Sequence, residues 1–343
     1  MKQFNDLHRG VNLGGWLSQT EYSRNHFDSF ITEKDIKTIA SWDLDHVRVP
    51  VDYNLFQDEN GALYEANFCY IDKCISWCKA AGLSMILDLH KAKGYSFDSE
   101  EKEKGLFENE DLINQFISLW ETFAERYGGE PVVSFELLNE VVRREDNDGW
   151  MKLAERAFHA IRRHAPSTKI LIGGYYNNSI VAVKDLAQPF DENVIYTFHC
   201  YDPLLFTHQG AYWIPEMDRN FRMKYPVSKI EYDAAMRKAV SSTERFLIGD
   251  AALPDGGFST SYFENLFSEA LRISEERNVP LYCGEYGVID AADRYSTMNW
   301  IADINTVFEK HHIGRAIWNY KEKDFGITDE KFDSVRELLN MHL

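Results

Sequence analysis

Short apolar runs alternate with helix-forming segments along the whole chain, and this alternation restricts the possible folds more than any other feature. Eight runs rich in β-branched and aromatic residues are predicted to be strands: Gly10–Leu13, His46–Asp52, Met85–His90, Val132–Glu140, Ile170–Gly174, Val194–Tyr201, Pro280–Gly287 and Ala316–Tyr320. Several are apolar at consecutive positions, as strands buried on both faces of a parallel sheet are. Eight such strands with helices between them favour a (β/α)8 TIM barrel.

The segments between the strands have the periodicity of one-sided helices. Apolar side chains recur at three- and four-residue steps from Leu112 to Tyr127 and from Tyr70 to Ala81. Gly82 stands where the glycine that ends a helix belongs. No phosphate-binding glycine motif follows any strand, which argues against an open nucleotide-binding sheet.

The 343-residue chain is longer than a plain barrel of about 250 residues, and much of the surplus falls after strand six. Residues 203–261 have neither a strand pattern nor a linker composition. We expect one domain, residues 1–343, with a helical insertion at 203–261 above the barrel mouth. Connections longer than about 12–15 residues are usually functional, so we expect the early aromatic side chains Phe206 and Trp213 to bind substrate.

Composition excludes several classes of partner. The chain has 55 acidic and 37 basic residues, a net charge of −18, which disfavours nucleic acid and anionic membranes and is compatible with a neutral ligand. The five cysteines lack zinc-site spacing, so we expect reduced thiols in the core. The first residues do not read as a signal peptide, so we expect a cytoplasmic protein or an exported one whose signal is removed. We also expect a monomer.

Polar and aromatic side chains gather at the predicted C-terminal ends of the strands, where (β/α)8 barrels build their active sites. They are Arg48, Asp88, His90, Asn139, Glu140, His199, Tyr201, Glu285 and Trp318. Two carboxylates facing each other across a cleft suit glycoside hydrolysis, in which one protonates the leaving oxygen and the other attacks the anomeric carbon or activates water. A tryptophan offers a flat apolar surface on which a sugar ring can stack.

Other chemistries fit the same strand ends less well. A metal site could use His90, His199 and a glutamate, but the first strand lacks the His-x-His ending of many barrel metal hydrolases. A Schiff-base lysine needs a desolvated strand end, and Lys321 is the nearest case. No G-x-S-x-G motif supports a serine nucleophile. We therefore expect no metal and no organic cofactor.

The motifs, taken in chain order, resemble glycoside hydrolase family 5, a family of retaining (β/α)8 enzymes that includes the cellulases. The resemblance spans the chain and is carried by Arg9–Trp16, Val47–Pro50, Leu87–His90, Phe135–Glu140, Phe198–Tyr201, Gly284–Gly287 and Ile317–Trp318. Within the family, the clostridial endoglucanase C type shares the length, a helical insertion after strand six, and the stretches His26–Asp28, Phe30–Asp35, Phe206–Gln209 and Trp318–Lys321.

The resemblance implies roles for the two glutamates and their neighbours. Glu140 would be the general acid/base and Glu285 the nucleophile. Arg48 and Tyr201 would bind the Glu285 carboxylate and keep it ionised and oriented. His199 would lie near Glu140.

The resemblance also implies which residues bind the sugar. Asn139 would hold the 2-hydroxyl at the cleavage point, His90 would bind the same sugar and Trp318 would be the stacking floor. Trp16, in the shared stretch of strand one, is expected among the substrate-binding residues. The peptide bond between Trp318 and Asn319 is expected to be cis.

The activity that the resemblance implies is that of a retaining endo-β-glucanase on β-1,4 or mixed-linkage β-1,3-1,4 glucan. The stretch Arg9–Trp16 also resembles exo-β-1,3-glucanases of the same family, and mannanase and xylanase activities stay open within it. A non-catalytic sugar-binding barrel is a further alternative. The presence of both Glu140 and Glu285 argues against it, because a binding protein needs no acid and nucleophile pair.

Overall fold

A computed structural model of the protein describes residues 6–98, 104–241, 257–336, 339 and 343. Within these residues, eight parallel strands pair in chain order and β8 pairs with β1, so the sheet is a closed barrel. The strands are β1 (Arg9–Asn12), β2 (His46–Asp52), β3 (Ser84–Lys91), β4 (Val133–Glu136), β5 (Ile170–Ile172), β6 (Val194–Cys200), β7 (Leu281–Tyr286) and β8 (Gly314–Ile317). The predicted (β/α)8 TIM barrel is confirmed.

Helices lie in the connections between the strands. They are α1 (Arg24–Ser29), α2 (Glu33–Ala40), α3 (Cys69–Ala81), α4 (Glu110–Tyr127), α5 (Asn147–Arg162), α6 (Tyr175–Asn178), α7 (Leu204–Thr207), α8 (Lys229–Ala239), α9 (Thr260–Arg277) and α10 (Arg294–His311). In the described part of the chain, none of these helices has the length and apolar character of a membrane span.

The two helices predicted from their periodicity are present and end as expected. α4 buries its apolar side, including Phe116, Trp120 and Phe123, against the barrel. α3 ends at Gly82, whose φ of 74° is a left-handed conformation that glycine adopts without strain. Cys74 and Cys78 are buried free thiols of α3, which confirms their expected place in the core.

Several strands end earlier than predicted, and two of these ends determine where the site residues lie. β4 ends at Glu136 and β8 at Ile317, so Asn139, Glu140 and Trp318 follow the strands. The chain still runs alongside β3, because the Asn139 N–H donates to the Leu89 carbonyl at 3.1 Å. These side chains therefore lie at the barrel mouth, just above the last rungs of the sheet.

The segment predicted as an insertion, 203–261, follows β6 and reaches the start of α9. Its described part, 203–241 and 257–261, contains α7, α8 and much irregular chain. It is attached to the barrel on the β7 side, where the Ile289 N–H donates to the Thr207 carbonyl at 2.9 Å. The Tyr225 hydroxyl also donates to Asp303 of α10 at 2.8 Å. The start of the insertion is thereby held beside the barrel mouth.

Candidate active site

Glu285 of β7 is held by two donors, one on β2 and one directly after β6. Arg48 Nη1 of β2 donates to one carboxylate oxygen at 2.9 Å, and the Tyr201 hydroxyl donates to the other, also at 2.9 Å. Charge-assisted hydrogen bonds to both oxygens stabilise the carboxylate and fix its direction. These are the contacts expected for Glu285.

Arg48 is fully buried and donates hydrogen bonds to three further side chains. Its Nε donates to Glu136 at 2.7 Å and its Nη2 to the other Glu136 oxygen at 3.1 Å, a bidentate pair. Its Nη1 also donates to Asn12 at 2.9 Å, and its Nη2 to Asn139 at 2.8 Å. Because a guanidinium only donates, the Asn139 oxygen faces it, and the Asn139 NH₂ is left as the donor for a ligand.

The arginine is outnumbered by buried carboxylates. Asp88 Oδ2 lies 3.0 Å from Arg48 Nη2, which makes three acidic groups around one cation with Glu136 and Glu285. Burial raises the pKa of Asp88 to about 7 and also raises that of Glu136, against the lowering effect of Arg48. The same neighbours raise the pKa of Arg48 itself, despite its burial, so this cation is permanent.

Glu140, four residues beyond the end of β4, has partners of a different kind. His199 Nδ1 lies 2.8 Å from one oxygen, and the Asn177 side-chain NH₂ donates to the other at 2.8 Å. Burial raises the pKa of Glu140 to about 7, while the Asn177 hydrogen bond and Arg48 act to lower it. Burial also lowers the pKa of His199 to about 4, so a neutral imidazole lies beside Glu140. Glu140 can therefore carry a proton near neutral pH.

The two glutamates come together at the centre of the mouth. One oxygen of Glu140, one oxygen of Glu285 and one ring nitrogen of His199 lie within 4.8 Å of one another. This spacing would also suit metal ligands. However, the Arg48 cation and the Tyr201 hydroxyl already donate to both oxygens of Glu285. The cluster therefore fits an acid and nucleophile pair better than it fits a cation site.

Trp318 lies beside this pair as a flat surface. Its ring is parallel to that of His90, with an interplanar angle of 2° and a centroid distance of 5.8 Å. Gly14 makes room for the indole, since a Cβ there would lie 2.5 Å from the ring. The next residue, Asn319, is fixed because its side chain exchanges two hydrogen bonds with the Gly14 backbone, at 2.9 and 3.0 Å. The Trp318–Asn319 peptide is cis, as expected.

Two of the expected substrate-binding aromatic residues are core residues instead. Trp16 is fully buried, donates its indole N–H to the Phe27 carbonyl at 2.8 Å and stacks on Trp77. Phe206 is also fully buried and packs on Tyr225. Neither ring has an exposed face for a sugar, so the prediction was wrong for both.

Trp213 has the exposure that Phe206 lacks. Its side chain is 39% exposed, and its ring centroid lies 6.0 Å from that of His208. The His208 ring in turn lies 4.9 Å from the Tyr201 ring, which is the hydroxyl partner of Glu285. Aromatic contacts therefore connect the insertion to the nucleophile side of the site.

The sequence patterns did not single out Glu136, Asn12 or Asn177 as members of the site. A signal existed for Glu136, because it is an acid inside a largely apolar strand. Asn12 is likewise a polar residue within an apolar strand. No sequence pattern indicated Asn177, because its position depends on a left-handed turn of the backbone.

Comparison with known proteins gives one consistent result. The sequence matches the cellulase family, glycosyl hydrolase family 5, over residues 9–324. It is 42% identical to cellodextrinase A of Ruminococcus flavefaciens over 308 residues, 90% of this chain and 83% of that protein. It is 39% identical to endoglucanase C of Acetivibrio thermocellus over 338 residues, 97% of this chain and 96% of that protein. The fold is similar to that of Thermotoga maritima Cel5A, solved with cellobiose, with a TM-score of 0.75 at 23% identity, covering 98% of this chain and 97% of that one.

Proposed function

The chain belongs to glycosyl hydrolase family 5 and is a glycoside hydrolase, and from that premise we propose that it is a retaining endo-β-glucanase. Its substrate is β-1,4 glucan or mixed-linkage β-1,3-1,4 glucan. Similarity to a cellodextrinase and to an endoglucanase over nearly the whole chain supports this substrate class.

The observation that carries the proposal is the spacing and unequal surroundings of Glu140 and Glu285. Carboxyl groups of retaining glycosidases lie about 5–5.5 Å apart and those of inverting ones about 6.5–9.5 Å. The nearest oxygens here lie within 4.8 Å, which supports retention. Glu285 has an arginine and a tyrosine as donors, whereas burial raises the pKa of Glu140 to about 7.

The first step follows from these surroundings. Glu285 attacks the anomeric carbon and forms a glycosyl ester, while the glycosidic bond breaks. Glu140 gives its proton to the leaving oxygen, so the aglycone departs as a neutral alcohol. His199 beside Glu140 is neutral. A positive charge there would favour the ionised carboxylate, so its absence lets Glu140 keep its proton until the glycosidic bond breaks.

The second step reverses the roles. Glu140, now ionised, takes a proton from a water molecule whose oxygen attacks the anomeric carbon. The ester bond to Glu285 breaks, the carboxylate returns to its donors Arg48 and Tyr201, and the sugar leaves with its original configuration. Two inversions at one carbon give net retention.

The remaining contacts position the sugar. The Asn139 NH₂ donates to the 2-hydroxyl, because its oxygen is occupied by Arg48. Trp318 and the parallel His90 form the floor of the site. The start of the insertion forms one wall of the cleft through His208 and Trp213.

The test is product analysis on barley β-glucan, carboxymethyl-cellulose, laminarin, xylan and mannan in parallel. The proposal expects a rapid fall in viscosity and release of mixed oligosaccharides from the first two. Release of glucose from laminarin alone would instead identify an exo-β-1,3-glucanase. Activity confined to xylan or mannan would also replace the proposed substrate.

A further inference from the structure

A second concave surface lies at the barrel mouth, between the loop that follows β1 and the loop that follows β2. It has a volume of about 460 Å³, in the range of ligand-binding clefts. Its walls include the aromatic rings of Tyr22 and Tyr64 and the polar side chains of Arg24, Asn54 and Asn67. Tyr22 and Tyr64 are 36% and 47% exposed, so both rings present surface to solvent. None of these residues takes part in the site around Glu140 and Glu285.

Tyr22 is held in place by the end of β2. Its hydroxyl donates to the buried Asp52, which also accepts the Ser18 hydroxyl at 2.7 Å and the Gln19 N–H at 3.0 Å. Tyr22 has a φ of 51°, a left-handed conformation that is costly for a bulky residue and persists only where its surroundings fix it. The ring is therefore a pre-organised part of the rim.

The position of the cavity relates it to the cleft. Asp52 lies four residues beyond Arg48 on β2, about 13 Å along the strand towards the mouth. In a closed barrel of eight strands, β2 lies opposite β6, the strand that leads into the insertion. The catalytic pair comes from β7 and from the chain after β4, and these two strands lie on either side of the line that joins β2 and β6. A glucan chain that crosses the mouth from the insertion past Glu140 and Glu285 would reach this cavity next.

The chemistry of the cavity suits a neutral sugar. Tyrosine rings cover the apolar face of a pyranose, and amide groups exchange hydrogen bonds with hydroxyls. Both signs of charge are present, since Glu65 lines the cavity together with Arg24. Glu65 also forms an ion pair with Arg126. A mixed, nearly balanced lining does not select an anion or a cation.

We propose that this cavity is a distal sugar-binding subsite, which holds a unit of the glucan chain remote from the bond that is cut. The inference rests on the proposed function, because it takes a glucan as the ligand. Binding in this cavity increases the number of sugar units that the enzyme contacts. Remote binding of this kind increases kcat/KM on long chains more than on short ones.

The test compares Tyr64→Ala with Tyr64→Phe, which keeps the ring. Asn54→Ala is a second variant on an exposed side chain of the cavity, and Tyr295→Ala removes a 61% exposed tyrosine on α10 as a control. kcat/KM is measured on cello-oligosaccharides of increasing length and on a short aryl cellobioside. Melting temperatures are recorded for each variant.

The ratio of kcat/KM on the longest oligosaccharide to that on the aryl cellobioside should fall about three- to tenfold in Tyr64→Ala. It should stay near the wild-type value in Tyr64→Phe and Tyr295→Ala, and fall in Asn54→Ala. An unchanged ratio in both Tyr64→Ala and Asn54→Ala would overturn the inference. A wild-type enzyme that cleaves no β-glucan would overturn the proposed function instead, so the two failures are distinguishable.

Discussion

The side-chain NH₂ of Asn177 lies 2.8 Å from Oε2 of Glu140 and donates a hydrogen bond to it. An amide donor favours the ionised carboxylate, whereas burial favours the protonated one. Burial dominates and the pKa of Glu140 is raised to about 7, but Asn177 limits the rise. The chain reaches this position through a left-handed turn, in which Asn177 has a φ of 55°.

Removal of this hydrogen bond should move the alkaline limb of the pH profile. Glu140 acts as an acid only while it is protonated, so kcat/KM falls as the pH rises through its pKa. Asn177→Gly removes a group that stabilises the ionised form, so the pKa rises and the limb moves upward by about 0.5–1 pH unit. Glycine is chosen because it accepts the positive φ without strain.

Tyr176→Gly is the matched control, because Tyr176 has a φ of 53° in the same turn. It should leave the alkaline limb where it is in the wild type. If the alkaline limb lies at the same pH in both variants, or moves to lower pH in Asn177→Gly, then Asn177 does not lower the pKa of Glu140.

The two catalytic glutamates should respond differently to replacement by glutamine. Glu285→Gln cannot form the glycosyl ester and should lose nearly all turnover on every substrate while still binding oligosaccharide. Glu140→Gln should lose about 10²–10⁴-fold on cello-oligosaccharides and much less on aryl glycosides with good leaving groups, which need no proton. Equal losses for both variants on all substrates would show that the assigned roles are wrong.

The stereochemistry of hydrolysis follows from the short distance between the same two side chains. With oxygens within 4.8 Å of each other, no space remains for a water molecule to attack directly from the Glu285 side. Proton NMR of the earliest products should show the β-anomer first, followed by mutarotation. An initial α-anomer would mean an inverting enzyme.

The barrel could be predicted from the sequence because each strand has its own local signal. His46–Asp52 matches β2 residue for residue, and the glycine after α3 was placed correctly. The polar residues of the strand ends were found for the same reason, since a period of two fixes which side chains share a face.

Burial at the mouth could not be predicted in the same way. Trp16 and Phe206 are aromatic residues of the strand ends and the insertion, as Trp213 is, and only the packing of the surrounding chain decides that the first two are fully buried and Trp213 is not. Asn177 is likewise placed by a turn whose φ values no residue pattern specifies.

Trp213 and Phe206 together test whether the insertion is a wall of the cleft. Phe206 is fully buried against Tyr225, so Phe206→Ala should lower the free energy of unfolding by about 3–5 kcal/mol through the cavity it leaves. Trp213 is 39% exposed, so Trp213→Ala should change the melting temperature little. It should lower kcat/KM on barley β-glucan about three- to tenfold while affecting a short aryl glycoside less, because only a long chain reaches beyond the reacting sugar. If Trp213→Ala instead reduced both activities equally and melted earlier, the tryptophan would be packing the insertion onto the barrel, and the wall would have no part in substrate choice.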